Sequence, residues 1–146
     1  MVETFKQYLS EENLWEYLWR TNKGTFFRGV SEKGTGVGLG ALGKGVYLTW
    51  SETMAKTFAK AASGGVSEGV VKTFKVKRGL NLVDIQDQDF AKVKEMMGFK
   101  PHEFSNTLGY ANLLTLQLKK LKYDGVVSDK LAEGIVIFDK KNVTEV

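Results

Sequence analysis

The chain has 146 residues, of which 42% are hydrophobic and 26% charged, with a formal net charge of +4 and a pI near 9.2. This size favours one domain with its own core, here taken as 1–146 with a helical N-terminal segment at 1–22. The absence of cysteine excludes disulfides and thiolate nucleophiles, and a single histidine excludes most zinc sites.

Helical and strand patterns alternate along the chain. Apolar residues at a 3.6-residue period and capping residues predict helices at 3–20, 53–62, 87–97 or 89–97, and 107–122. Alternating or continuous apolar runs predict strands at 25–30, 46–49, 69–76, 80–85, near 126, at 134–138 and at 143–146. This order lacks the regular βαβ alternation of a doubly wound sheet, so it predicts an α+β fold.

Three smaller features are less informative. The first helix is predicted to turn five residues inward: Phe5, Leu9, Leu14, Tyr17 and Leu18. His102 and the acidic residues near 84–89 are interpreted as surface, turn or helix-start residues, because neither has the spacing of a catalytic or cation site.

The basic residues are scattered along the sequence, and no aromatic-interleaved basic patch stands out. The net positive charge is compatible with solvated faces or with a nucleic-acid partner. The apolar runs are too short for a bilayer span, and the first residues do not resemble a signal peptide. We therefore expect a cytoplasmic protein that has no membrane partner.

Arg28 and Gly29 stand within an aromatic-rich strand. Arginine is rarely buried without a partner, so Arg28 is expected to meet a carboxylate, a phosphate or backbone carbonyls, or else to extend to the sheet edge. A glycine in a strand allows close approach to the backbone, so Gly29 is interpreted as a ligand contact.

The glycine-rich stretch 34–45 predicts a flexible loop. It leads into a strand and not into a helix, which argues against a dinucleotide or phosphate-binding loop. Tyr47 follows it and is compatible with a core aromatic, and Ser51 with a helix cap. Glu133 stands directly before a buried strand, where a rigid element can hold a carboxylate at the mouth of a cleft.

These segments, taken in order, resemble the ADP-ribosyltransferase superfamily, including its diphtheria-toxin-like and poly(ADP-ribose)-polymerase-like branch. Arg28-Gly29 is similar to the first motif, the sequence around Tyr47 to the second, and Glu133-Gly-Ile-Val-Ile-Phe-Asp to the third. The segment beginning at Tyr123 looks like one found in small phage-type members. The resemblance covers residues 25–146 and implies two small, packed, mostly antiparallel sheets around an NAD cleft, with flanking helices.

The resemblance implies a transferase that moves ADP-ribose from NAD to a macromolecule or to water and releases nicotinamide, without a metal. In this interpretation Glu133, Tyr47 and Arg28 are catalytic. Glu133 stabilises the cation-like ribose, Tyr47 stacks on nicotinamide, and Arg28 binds a phosphate or braces the cleft. Gly29 holds the nicotinamide amide through its backbone, and Thr49 or Ser51 hydrogen-bonds Glu133.

The acceptor is left open between protein and nucleic acid. Leu131, two residues before Glu133, differs from the Glu of arginine-modifying members and the Gln of asparagine-modifying members, which counts against both acceptors. The source implied is a phage- or virus-type effector acting in a host cytoplasm. Two alternatives remain: a binding module of the same fold without transferase activity, and a basic nucleic-acid-processing protein that does not use NAD.

Overall fold

A computed structural model describes residues 12–33, 41–105, 107–131 and 134–146. These residues form an α+β fold. The described helices are α1 (Leu14–Thr21), α2 (Glu52–Ala62), α3 (Gln88–Met96) and α4 (Leu108–Lys120), with a 3₁₀ turn at Lys140–Asn142. The described strands are β1 (Thr25–Val30), β2 (Val46–Leu48), β3 (Val70–Val76), β4 (Leu82–Asp84), β5 (Gly125–Val127), β6 (Ile135–Ile137) and β7 (Val143–Glu145).

Each of these α-helices begins after a residue whose side chain caps it. Asn13, Ser51, Asp87 and Thr107 each accept a hydrogen bond from a backbone N–H in the first turn. Such a bond satisfies a donor that has no partner within the helix, and it fixes where the helix starts. The predicted helix after Ser51 is confirmed, and the next helix begins after Asp87.

The strands form two sheets. The first contains three antiparallel strands in the order β1-β3-β7. The second contains four strands in the order β2-β6-β5-β4; its pairs are antiparallel except β4 with β5. The predicted class of two mostly antiparallel sheets with helices is therefore confirmed at that level.

Two clusters of buried side chains stabilise the fold. One lies between the sheets and α1, where Trp15 stacks on Phe26 with the ring centroids 5.2 Å apart. The other lies between the second sheet and helices α3 and α4, and Phe90 and Leu114 are fully buried in it. The second sheet thus contributes to both cores, as its uninterrupted apolar strands require.

The first helix differs from its prediction. Phe5 and Leu9 of the predicted inner face lie outside the described residues, and the described helix starts at Leu14. Trp15 and Leu18 are its buried residues, whereas Tyr17 is 44% exposed, so the prediction for Tyr17 was wrong. Trp15 packs on Phe26 of β1 and therefore defines the inner face of the helix. Tyr17, two positions later, points to the opposite side.

Candidate functional site

The two sheets meet where β1 runs past the end of β2. Phe27 and Thr49 exchange both backbone hydrogen bonds, at 2.9 and 2.8 Å, and form an isolated bridge between the sheets. On its other side β2 pairs with β6, with Leu48 opposite Ile135. The fold therefore brings Arg28-Gly29, Thr49-Ser51 and the start of β6 next to one another.

Arg28 lies on the core-facing side of β1. Side chains alternate along a strand, so Arg28 shares a face with Phe26 and Val30, which are both buried. Its Nε atom is buried and has no hydrogen-bond partner among the described residues. A buried donor without an acceptor costs about 1–3 kcal/mol, so the Nε–H group lacks a partner that its burial requires.

Gly29 is needed for helix packing. A Cβ atom at this position would lie 2.0 Å from the Ala55 carbonyl oxygen and 2.4 Å from the Ala59 nitrogen, both on α2. This contact explains the glycine without a ligand. Close approach of a helix is therefore a second reason for the lack of a side chain, beside the close approach of a ligand that the sequence suggested.

The backbone of Gly29 still faces the junction. Neighbouring residues in an antiparallel strand send their N–H and C=O groups to opposite edges. Phe27 directs both groups to Thr49, and Gly24 directs its C=O to Val76 on the β3 side. By this alternation, the N–H and C=O of Gly29 point to the same side as those of Phe27, towards β2.

Tyr47 belongs to the core between the second sheet and α4. Its side chain is 7% exposed. Its hydroxyl donates to the Gly43 carbonyl at 2.5 Å and accepts from the Leu42 N–H at 3.1 Å. The described contacts make Tyr47 an anchor for the end of the glycine-rich stretch, and its side chain is buried.

Thr115 on α4 holds the same segment from the other side. Its Oγ1 accepts a hydrogen bond from the Lys44 N–H at 2.7 Å. Together with Tyr47 it fixes residues 42–44 directly before β2. Sequence reasoning missed Thr115 because a threonine 71 residues away carries no signal of this contact.

Thr49 and Ser51 have local partners. Thr49 is buried, and its Oγ1 accepts from the Ser51 N–H at 3.3 Å. Ser51 Oγ accepts from the Met54 N–H at 3.2 Å as the cap of α2. Both residues therefore define the turn from β2 into α2.

A cavity of about 290 Å³ opens beside this turn. Its described lining consists of Thr49, Trp50, Met54, Asp129, Lys130 and Leu131. Glu133 lies outside the described residues, between Leu131 and Gly134, which are described. Sequence reasoning did not single out Trp50, which is the aromatic residue in the described lining of this cavity.

A second unusual group is Lys94 on α3, which is fully buried. Its Nζ donates to the Glu103 carbonyl and to the Tyr110 hydroxyl. The rings within 4.3–5.8 Å of Nζ are Phe90, Phe99, Phe104 and Tyr110. Burial lowers the pKa of Lys94 to about 8, opposed in part by the Glu103 carboxylate, and burial also raises the pKa of Tyr110 to about 12.

Other candidate features carry little chemistry. His102 is exposed on the loop after α3. Within the described parts of the chain, no group of three or more His, Asp or Glu residues is arranged to hold a metal ion. None of the described helices has the length and apolarity to cross a membrane.

Comparisons with protein-family models, curated proteins and solved structures gave no match. Any functional assignment therefore rests on the residues and their geometry.

Proposed function

We propose that the protein is an NAD-dependent ADP-ribosyltransferase whose cleft lies at the junction of the two sheets. The observation that carries this proposal is the buried Arg28 Nε–H, which faces inward beside the Phe27–Thr49 bridge without an acceptor. A diphosphate supplies the oxygen acceptors that a guanidinium binds well. The order of Arg28-Gly29, Tyr47 and Glu133 resembles that of the ADP-ribosyltransferase motifs, and this resemblance favours NAD over other diphosphate ligands.

The residues divide the reaction between them. Arg28 binds the diphosphate, and the N–H and C=O of Gly29, which point to the β2 side, hydrogen-bond the carboxamide of nicotinamide. Glu133 stabilises positive charge on the ribose as the bond to nicotinamide breaks and nicotinamide leaves with the bonding electrons. An acceptor X–H then forms a bond to the ribose carbon and loses its proton to solvent or to a carboxylate. The acceptor is a protein side chain, a nucleic acid or water.

Tyr47 acts differently in this proposal from the sequence-based interpretation. Its hydroxyl and Thr115 hold residues 42–44, so Tyr47 positions the entry to β2 and does not stack on nicotinamide. It is a positioning residue. Thr49 and Ser51 have the same kind of role, because they set the turn that connects the junction to α2.

Nicotinamide release from NAD tests the role of Glu133. We expect the wild type to release nicotinamide and Glu133→Gln to do so about 10²–10³-fold more slowly, the usual cost of removing one electrostatic stabiliser. Glu95→Gln is the matched control, since Glu95 is an exposed carboxylate on α3. Equal rates in the wild type and Glu133→Gln would show that Glu133 has no catalytic role.

One observation favours the binding module as a second candidate. The ring of Tyr47 is buried, so the proposed cleft offers less aromatic surface to nicotinamide than the motif implies. A module of this kind binds NAD, or a related diphosphate, without cleaving it. Calorimetric binding of NAD combined with no nicotinamide release by the wild type would favour this candidate over the transferase.

A further inference from the structure

Lys72 of β3 lies directly opposite Arg28 of β1. The two residues are Cα partners in the antiparallel pairing of these strands. Partners in such a pair project from the same face of the sheet, with their Cβ atoms about 4.5–5.5 Å apart. Two cations therefore stand side by side on one face, and like charges in this arrangement destabilise a sheet unless an anion lies between them.

The face that carries the two cations is turned away from α2. A Cβ atom at Gly29 would clash with the backbone of α2, so this helix covers the opposite face of β1. The remaining side chains that β1 and β3 direct to the face of the cations are apolar: Phe26, Val30, Val70, Phe74 and Val76. Lys72 interrupts the apolar series of β3 as Arg28 interrupts that of β1, and apolar surroundings weaken the screening of both charges.

Glu145 is the one carboxylate that the described strands of the first sheet direct to this face. It is the partner of Phe74 on β7, and its Oε1 lies 3.5 Å from Lys72 Nζ. The side chains of Lys72 and Glu145 are 35% and 54% exposed, and an ion pair this accessible to water is weak. Arg28 forms no ion pair with any residue that the structure describes, so the face keeps one uncompensated positive charge.

We propose that Arg28 and Lys72, here called the cation pair, together bind the diphosphate of NAD. This inference rests on the proposed function for the identity of the ligand, and it adds Lys72 to the site. A diphosphate between the two cations removes their repulsion and gives the buried Arg28 Nε–H an acceptor. Arg28 offers donors in a fixed fork, whereas Lys72 offers an ammonium on a flexible stem that can leave Glu145 for a phosphate oxygen.

Glu145 competes with the ligand for Lys72 in this arrangement. Replacing its carboxylate by a neutral amide frees the ammonium, so Glu145→Gln is expected to bind a diphosphate more tightly than the wild type. A lysine that served only to join β3 to β7 would not produce this effect, because losing either partner of the ion pair would then only weaken the sheet.

Calorimetric titration with NAD, ADP-ribose and inorganic pyrophosphate at low salt tests the cation pair. We expect Lys72→Gln to bind all three ligands at least about tenfold more weakly, the usual scale for a hydrogen bond to a charged group, and Glu145→Gln to bind them about twofold more tightly. Lys75→Gln is the matched control, because it removes the same charge from the opposite face of the same strand. It is expected to bind within about twofold of the wild type.

Nicotinamide release separates binding from bond cleavage. Lys72→Gln is expected to raise the KM for NAD about tenfold and to leave kcat within about twofold, because the diphosphate is held equally before and during cleavage. Without ligand, the denaturation midpoint of Lys72→Gln is expected to be no lower than that of the wild type, since one of two repelling cations has been removed.

Three outcomes would overturn the cation pair. These are equal affinities of Lys72→Gln and the wild type for ADP-ribose and pyrophosphate, equal losses in Lys72→Gln and Lys75→Gln, or no binding of any of the three ligands to the wild type. Binding of ADP-ribose that depends on Lys72, with no nicotinamide release by the wild type, would support the cation pair and reject the transferase. Nicotinamide release that depends on Glu133 and not on Lys72 would do the reverse.

Discussion

Two cations that each have a buried nitrogen atom illustrate opposite solutions to the same physical problem. Lys94 Nζ has two oxygen acceptors and a surrounding shell of aromatic rings, so the cost of its burial is offset in part within the core. Arg28 Nε is buried with no acceptor among the described residues. A compensated cation joins elements of structure, whereas an uncompensated one at a sheet junction is suited to binding a ligand. For Lys94 we therefore expect the stability of the fold to depend on pH. For Arg28 we expect it to depend on a bound ligand.

Lys94 is expected to make stability rise with pH. Its folded pKa of about 8 lies below the ordinary 10.5, so between these values the unfolded chain holds more protons than the folded one. The free energy of unfolding of the wild type is therefore expected to gain about 2 kcal/mol more than that of Lys94→Met between pH 7.5 and 10. Urea unfolding at four pH values measures this difference.

The comparison stops at pH 10 because two tyrosines act in the opposite direction above it. The pKa of Tyr110 and that of Tyr123 are both raised to about 12, by burial first and, for Tyr123, by its hydrogen bond to Asp89 as well. Their contribution to stability is lost as the pH rises past 10, and that of Tyr110 also differs in Lys94→Met, which removes the hydrogen bond from Nζ to the Tyr110 hydroxyl. Parallel pH profiles for the wild type and Lys94→Met would contradict the role given to Lys94.

At the scale of elements, the contact between β1 and α2 depends on a strand residue without a side chain. Gly29→Ala places a methyl group against the Ala55 carbonyl and the Ala59 nitrogen. We expect it to lower the free energy of unfolding by about 2 kcal/mol or more, since rigid backbone cannot yield as side chains do. Chemical denaturation measures the loss.

Gly109→Ala is the counterpart on α4. No atom lies within 4 Å of a Cβ at this exposed helical position. We expect a gain of up to about 1 kcal/mol there, because alanine favours the helix. A Gly29→Ala protein as stable as the wild type would show that α2 moves away from β1 at little cost.

The elements themselves were largely predictable, because their signals are local. The prediction of β1 at 25–30 matches the structure, since the segment is rich in aromatic and β-branched residues, which favour strands. The helix after Ser51 was predicted from its cap and its alanine-rich inner face. Local signals of this kind survive folding because tertiary contacts reinforce them.

The site was predictable only in part. Arg28 was recognised because a cation in an apolar strand conflicts with its surroundings, and its neighbour Phe27 forms the bridge to Thr49. The packing of α2 against Gly29 was not predictable, because a glycine in a strand is compatible with the close approach of either a ligand or a helix. Lys94 was missed because its aromatic neighbours are gathered from four positions that carry no common period.

At the scale of the whole molecule, a ligand bound at the junction stabilises both sheets at once. Under the proposed function, NAD at ten times its Kd is expected to add about 1.4 kcal/mol of stability, a rise in melting temperature of about 3–5 °C. Arg28→Gln is expected to lose this rise. Arg78→Gln, at an exposed arginine outside the junction, is expected to keep it.

Differential scanning fluorimetry with and without NAD measures the ligand-induced rise within each protein, so the intrinsic stability of each variant cancels. A rise of the same size in Arg28→Gln as in the wild type would remove Arg28 from the NAD site. No rise in any of the three proteins, at NAD concentrations up to 10 mM, would remove NAD as a ligand.

The strand order has a consequence for the timing of synthesis. β6 is an inner strand of the four-stranded sheet and the partner of β2, and β7 completes the three-stranded sheet beside β3. Until the ribosome has added β6, β2 has no strand to pair with, and the four-stranded sheet is incomplete. The junction that holds Arg28 and Thr49 thus matures only after residues 135–145 have emerged. Under the proposed function, nascent chains are expected to remain without NAD activity until then, a delay that the sheet order enforces without any separate inhibitor.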